Sequence, residues 1–416
     1  MDAAAKMSAM GGGGGRGVHT PEVTLLTELA AGLAVYGAPA HRLEEAVSAL
    51  ARRLGVKASF FATPTAVFAV YEVEGESETR LVEVNSSDVN LERLVLLDKV
   101  LNDVWDDKLS VAEGIARIRE VVGARDKYGA VIPVLAFMLL SGSAAQFFGG
   151  GWPEIATASV VGMIVGVLCD LSRRSRAYAR VLEFVAGVIA VLVAMLAGRV
   201  WGTMSVETVT LAGVIYLIPG LTLTTAVTEL STRNLVSGTA RLIGALTVLV
   251  SIGFGVVVGQ RVGQMLGLGM GERGGALGEW TVWASLAVTA PSLVVLFRAR
   301  WVDVWIIAVS SVVAFFAARV GVRELGSEVG VCVAAFAVGM LANGYARTLN
   351  RPSVVASVPG ILLLVPGAIG FQSFSAFTSH DAVEGVQLAF EMILVAVSLV
   401  AGLLLANVAL PPRKAL

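Results

Sequence analysis

Cysteine, histidine and charge are scarce in this chain. Two cysteines, Cys169 and Cys332, stand in 416 residues, both in apolar surroundings. That excludes a disulfide framework or a thiolate metal cluster, and both are expected to be small core residues. His19 and His380 stand in no site constellation, and no metal or cofactor is expected. Only 15% of residues are charged, against about a quarter in ordinary soluble domains. The net charge of −1 gives no reason to expect nucleic acid or an acidic partner. No nucleophile elbow, phosphate-cradling glycine loop or metal-ligand pair is found, which argues against an enzyme. Residues 1–17 lack an apolar stretch, so they read as a disordered tail rather than a cleaved signal.

What the chain has in abundance is apolar sequence: 56% hydrophobic residues and a mean hydropathy of +0.78. Most acids and bases fall in the first 127 residues. Residues 18–127 read as a soluble α+β domain. Helices are expected from Pro21 to near Gly37, from Pro39 to Gly55, from Leu91 to Trp105 and from Ser110 to Val122, the last opened by the capping box Ser110–Glu113. Between them, 57–62, 66–73 and 79–84 are β-branched and aromatic, with a turn at Glu74-Gly75-Glu76. Ser86-Ser87-Asp88 reads as a turn leading into the third helix.

The remainder divides into about ten apolar runs of roughly 20 residues, the length that crosses a bilayer. They lie near 129–148, 153–171, 180–198, 206–228, 240–262, 279–297, 302–319, 326–346, 354–375 and 386–408. A glycine-rich linker, 266–278, separates a first five-helix repeat, 128–265, from a second, 279–410; residues 411–416 form a C-terminal tail. The expected fold is an α-helical polytopic membrane protein: ten transmembrane helices as two inverted five-helix repeats, with an N-terminal cytoplasmic α+β domain. Arginine and lysine crowd the connections on the side of that domain, so both termini are expected in the cytoplasm. An odd number of spans per repeat places the second half upside down relative to the first.

Two motifs, 147 residues apart, repeat inside this apolar sequence. Gly213-Val-Ile-Tyr-Leu-Ile-Pro219-Gly220 is matched by Gly360-Ile-Leu-Leu-Leu-Val-Pro366-Gly367, and each leads into a hydroxyl-rich segment. Proline in a helix interior removes a hydrogen bond at a cost of roughly 3 kcal/mol, and lipid supplies no water to replace it. Matched breaks in the two halves of a transporter point to the substrate site. The half-helix after each Pro-Gly presents free N–H groups and a positive dipole end, which favour a carboxylate. Thr222, Thr225 and Glu229 share one helical face, as do Gln372, Ser375 and Ser379. Together with Pro219, Gly220, Pro366 and Gly367 they are the expected contacts for a small carboxylate-bearing solute.

Ionisable groups inside the spans are few. Glu391 lies about 10 Å into the last span at 1.5 Å per residue, and an unpaired charge there costs at least about 2.5–3.5 kcal/mol. It is the first candidate for proton coupling, with Glu229 second; Glu229 and Glu183 are placed near span ends. Asp170 is expected to pair with the Arg173-Arg174 cluster, and Asn234 and Asp381 to cap spans five and ten. His41-Arg42-x-Glu44-Glu45 reads as a solvated helix face.

With these residues assembled, the chain resembles the threonine/serine exporter family, including the fungal pheromone-regulated membrane proteins. The resemblance covers about residues 20–410. It is carried by Tyr36-Gly37-Ala-Pro-Ala-His-Arg42-Leu-Glu44 followed by Leu54-Gly55, by Val89-Asn90-Leu91 with Leu109-Ser110 and Glu113, and by the two Pro-Gly spans. It implies ten spans in two homologous parts and proton-driven export of small hydrophilic amino acids. The expected partners are threonine, serine or an analogue, protons and the lipid bilayer of the plasma membrane; a homo-oligomer is left open. Export of a small dicarboxylate such as succinate, or a sensor or hydrolase role for the N-terminal domain, are the alternatives.

Overall fold

The computed structural model describes residues 20–411 except 74–75, 85–88, 270, 272–274, 276, 350 and 379–380. The tail 1–17, His19, the Glu74-Gly75 turn, Ser86–Asp88, part of the 266–278 linker, Ser379, His380 and the last five residues therefore lie outside the described residues.

Residues 20–123 build an α+β unit. Helix α1 (Pro21–Val35) starts at Thr20, whose hydroxyl accepts from the Val23 N–H at 3.4 Å. Helix α2 (Ala40–Arg53) follows a turn in which Gly37 takes φ +93°, a conformation costly for any other residue. Three antiparallel strands, β1 (Lys57–Ala62), β2 (Ala66–Val73) and β3 (Glu76–Glu83), pair in sequence order. Helices α3 (Leu91–Trp105) and α4 (Val111–Gly123) complete the unit, and the Ser110–Glu113 capping box forms as its sequence implies. Leu25, Leu29, Leu33, Leu50, Tyr71, Leu97 and Ile118 are buried between helices and sheet.

Helices fill the rest. The first half contains α5 (Val131–Phe147), α6 (Trp152–Arg174), α7 (Arg176–Trp201), α8 (Val206–Gly213), α9 (Gly220–Ser231) and α10 (Leu235–Met265). The second contains α11 (Trp280–Leu296), α12 (Val304–Leu325), α13 (Ser327–Leu349), α14 (Val354–Leu364), α15 (Gly367–Thr378) and α16 (Ala382–Ala409). Among the described residues, seven stretches are long and apolar enough to cross a membrane, and α5 and α11 are apolar helices of 17 residues. Large apolar side chains such as Val200, Phe254, Phe390 and Val408 stand exposed on these helices, the surface a bilayer would cover. This is a polytopic helical membrane protein.

Neighbours repeat from half to half. α7 packs on α10 as α13 packs on α16; α8 lies against α6 and α7 as α14 lies against α12 and α13; α9 packs on α10 as α15 packs on α16. The exchange across the halves is reciprocal too, α9 touching α16 and α15 touching α10. Glycine allows the closest of these approaches. A Cβ on Gly187 would lie 2.4 Å from the Ile252 carbonyl oxygen, and one on Gly255 2.2 Å from that of Phe184. Small residues let helix backbones approach in this way in lipid, where apolar burial supplies little drive.

Candidate functional site

Both expected helix breaks are present, and they meet. The first spans residues 214–219, where turns replace the helix between α8 and α9. The second is only Val365 and Pro366, between α14 and α15. A Cβ on Gly367 would lie 3.4 Å from the Gly220 Cα and 2.5 Å from Ile218 Cγ2, while one on Gly220 would lie 1.8 Å from Val365 Cγ1. Glycine at both positions is therefore a condition of the contact. The N-terminus of α9 carries no side-chain cap, and its first N–H, that of Gly220, donates to the Ile218 carbonyl at 2.8 Å.

The open space lies beside this contact rather than between the two breaks. A cavity of about 170 Å³ runs from the first turn of α2 to Leu221 and Ile361, next to the breaks. Its walls come from α9, α13, α14 and α16, with Pro39, His41 and Arg42 closing the end nearest the N-terminal unit. That volume far exceeds the ~10–15 Å³ one water requires by this measure and falls short of the ~300–1,000 Å³ of pockets for drug-sized ligands. It suits a solute the size of a small amino acid.

On α9 the lining hydroxyls are Thr224, Thr225 and Thr228. Each donates its hydrogen one turn back, to the carbonyls of Gly220 (3.1 Å), Leu221 (2.9 Å) and Thr224 (2.8 Å). Their oxygens keep acceptor capacity, which suits an ammonium or hydroxyl donor. Ser353 and Ser357 of the α14 entry, and Asn343 and Asn407, add polar groups to an otherwise apolar wall. Glu229 ties the end of α9 to Ala40, and Ser353 and Val354 at the start of α14 line the cavity with Pro39 and His41, so α9 runs from its break toward the unit and α14 the opposite way.

The structure divides the expected contacts. Thr225 lines the cavity; Thr222 is half-buried on α9 outside it. Pro219, Gly220, Pro366 and Gly367 form the junction that ends the cavity without lining it. Gln372 and Ser375 lie on α15, away from the lining, and Ser373 beside them donates to the Gly385 carbonyl at 2.7 Å. Glu391 is half-buried on α16, about one turn before Val395, which packs with Leu364 next to the second break. It lies beyond the breaks as seen from the cavity.

Glu229 stands in the last turn of α9, as expected, and is fully buried there. Helix α2 starts at Pro39 with no side-chain cap and no acidic residue in its first turn. Glu229 supplies the missing acceptor from α9, taking the Ala40 N–H at 2.9 Å. Ser237 donates to its other oxygen at 2.7 Å, and the Arg241 Nε reaches both at 3.1 Å. Nearby, Asn234 is placed at the start of α10 without a side-chain cap bond, and its amide donates to Glu44 at 3.2 Å. Asp381 does cap α16, accepting from the Glu384 N–H at 3.0 Å, and Arg174 pairs with Asp170 at 2.6 Å.

The solvated reading of His41, Arg42 and Glu44 is corrected by this arrangement. Only Glu45 of the group is exposed; the others are half-buried at the junction of α2 with the membrane helices. The apolar i, i+3, i+4 spacing of α2 marks one buried face against the unit's own core, and it carries no mark of a second surface covered by helices nearly 200 residues away. Burial, with the Arg42 guanidinium adding to it, pushes His41 down to about 4, so it is neutral at pH 7. Burial also pulls Arg42 below its usual range, opposed by Glu45, and raises Glu44 against the bonds from Ala62 and Asn234.

Comparison with known proteins agrees with this architecture. A family model described as a putative threonine/serine exporter matches residues 24–263, and a second, described as threonine/serine exporter, ThrE, matches 281–409. The chain belongs to the threonine/serine exporter family. Pheromone-regulated membrane protein 10 of Zygosaccharomyces rouxii is 26% identical over 87% of this chain and 37% of its own length. The Kluyveromyces lactis protein of that name is 28% identical over 84% and 38%, and the Saccharomyces cerevisiae one 27% over 82% and 46%. The chain thus spans less than half the length of these curated relatives. No solved structure matches it. The exporter family models cover α9, α14 and the N-terminal unit alike, so every wall of the cavity falls within matched sequence.

Proposed function

We propose that this protein exports threonine, serine or a close analogue across the plasma membrane by alternating access, as a proton antiporter. The carrying observation is the pair of broken helices in contact at their breaks, with an amino-acid-sized cavity lined by one half of each. The opposite run of α9 and α14 along that cavity, and the reciprocal packing of the two halves, support ten crossings arranged as an inverted repeat. The N-terminal unit would then stand in the cytoplasm, with the cavity on that side of the breaks.

Threonine hydroxyls committed to their own helix carbonyls leave acceptors for an ammonium group, which a dicarboxylate lacks. This favours an amino acid over succinate. In this reading the solute moves past Thr225 and its neighbours on α9 as the Pro219-Gly220 and Pro366-Gly367 junction parts. Gln372 and Ser375 meet it on the other side. Glu391, beyond the breaks, carries the proton, while Glu229, already holding Ala40, Ser237 and Arg241, serves as an anchor.

Purified full-length protein in liposomes tests this by counterflow of labelled threonine and its response to an imposed pH gradient. The proposal expects uptake that the gradient drives and that Glu391→Gln uncouples from the gradient. Absence of threonine counterflow overturns the substrate; counterflow indifferent to both the gradient and Glu391→Gln overturns the coupling.

A further inference from the structure

Three features place the first turn of α2 among solute-binding elements. First, among the described lining residues Arg42 is the one lysine or arginine, and no aspartate or glutamate joins it, so the cavity is positive at its N-terminal-unit end. The carboxylates nearby lie outside the lining: Glu44 bonds Ala62 and Asn234, Glu229 bonds Ala40, Ser237 and Arg241, and the exposed Glu45, whose charge acts on Arg42, faces away from the cavity wall. Second, His41 Nδ1 is buried with no hydrogen-bond partner. Buried polar atoms are nearly always paired, so an orphan at the edge of a cavity asks for a ligand. Third, the cation and imidazole of α2 and the hydroxyl acceptors of α9 line one cavity, two kinds of group on two elements, with Asn343, Ser353, Ser357 and Asn407 on the other walls. A zwitterion has the complementary pair.

We infer that Arg42 and His41 of the N-terminal unit form the carboxylate-binding end of the cavity. They hold the solute's α-carboxylate while the α9 hydroxyls accept from its ammonium. The inference rests on the reading of the cavity as an amino-acid site. It makes the N-terminal unit part of the transport path and gives specificity to residues outside the membrane helices. A guanidinium offers a planar fork of donors to a carboxylate, and a neutral imidazole adds one hydrogen bond. A solute with an amide in place of the carboxylate leaves both under-used.

The test compares threonine with threoninamide, which keeps the hydroxyl and ammonium but has no carboxylate, as competitors of labelled threonine counterflow in full-length protein. Wild type is expected to favour threonine by at least about 10-fold, the scale of losing one partner of a buried charged pair. Arg42→Gln should weaken threonine at least about 10-fold and threoninamide less than about 2-fold, Arg42→Lys should fall between, and His41→Gln should shift threonine by about 3-fold. If Arg42→Gln keeps the preference, or weakens both competitors equally, the inference is overturned. Should Arg42→Gln fail to purify as a folded protein, Arg42→Lys and His41→Gln decide by the same comparison. If wild type shows no threonine counterflow, thermal stabilisation by threonine, threoninamide and succinate separates the two readings. Stabilisation by succinate alone, lost in Arg42→Gln, upholds the carboxylate end and overturns the amino-acid substrate. Stabilisation by no carboxylate overturns both.

Discussion

The two broken helices carry one motif and are built for different work. After the first break, α9 presents threonines to a cavity and ends against the N-terminal unit through Glu229. After the second, the positions 147 residues on from Thr224 and Glu229 are Phe371 and Ala376. Phe371 is buried, and the Phe374 ring fills the space beside Gly253 of α10, where a Cβ would lie 2.1 Å from it. The breaks differ in length as well, six residues against two. One half-helix presents hydroxyls to the cavity and is tied to the N-terminal unit; its partner carries the buried Phe371 and the Phe374 ring against α10. A repeated motif therefore fixes where helices break, and the residues flanking it decide which half-helix of each copy faces the cavity.

The largest effect that sharpens this contrast is at the anchor. Glu229→Gln leaves Arg241 without its carboxylate, and breaking a buried pair costs about 3–5 kcal/mol; Arg241 is 18% exposed, which places the loss at about 3 kcal/mol. Thermal unfolding in detergent should show it, while Ala376→Ser at the matched position, which breaks no ion pair, should cost less.

Acid should loosen the first half-helix from its support. His41 has a folded value near 4 against an ordinary 6.5, so the unfolded chain binds its proton first as pH falls. Stability is full above pH 6.5 and declines between 6.5 and about 4, by about 3 kcal/mol in total. Unfolding midpoints measured across that window should flatten in His41→Gln. Glu44 works the other way: its raised pKa means the native state gains relative stability as the group protonates, so Glu44→Gln should trim the opposing slope.

At the junction, Gly220→Ala should cost about 1–3 kcal/mol through overpacking against Val365. Val365→Ala should restore most of that loss, and a double-mutant cycle measures the coupling. Gly367→Ala should cost less, since its nearest neighbour is the Ile218 methyl. The smallest effects separate the two walls. Thr225→Ala and Thr228→Ala should each raise the KM for threonine presented from the cavity side about 5-fold, the worth of one hydrogen bond near 1 kcal/mol, with Gln372→Ala and Ser375→Ala staying within about 2-fold from that side.

Much of this was legible in the chain. Apolar run lengths located the seven stretches long enough to cross a membrane, β-branched and aromatic residues located the strands, and the Ser110–Glu113 pattern located the start of α4. Proline followed by glycine located both breaks, because the missing N–H and the absent Cβ act locally whatever surrounds them. What stayed hidden was tertiary. His41, Arg42 and Glu44 look like a wet helix face because their burial comes from α9 and α10, far along the chain. Thr222 and Thr225 share a face by arithmetic, yet the wall facing the cavity is turned toward Thr224, Thr225 and Thr228. Periodicity fixes a helix's faces relative to one another and leaves the choice of neighbour to packing.

The most direct test of the account asks whether the space beside α9 is the path of the solute. Thr228→Cys, in a protein with Cys169 and Cys332 replaced by serine, is treated with a charged methanethiosulfonate reagent in liposomes while threonine counterflow is followed. The account predicts that labelling stops counterflow and that threonine slows the labelling. Labelled protein that still moves threonine at its former rate would contradict it.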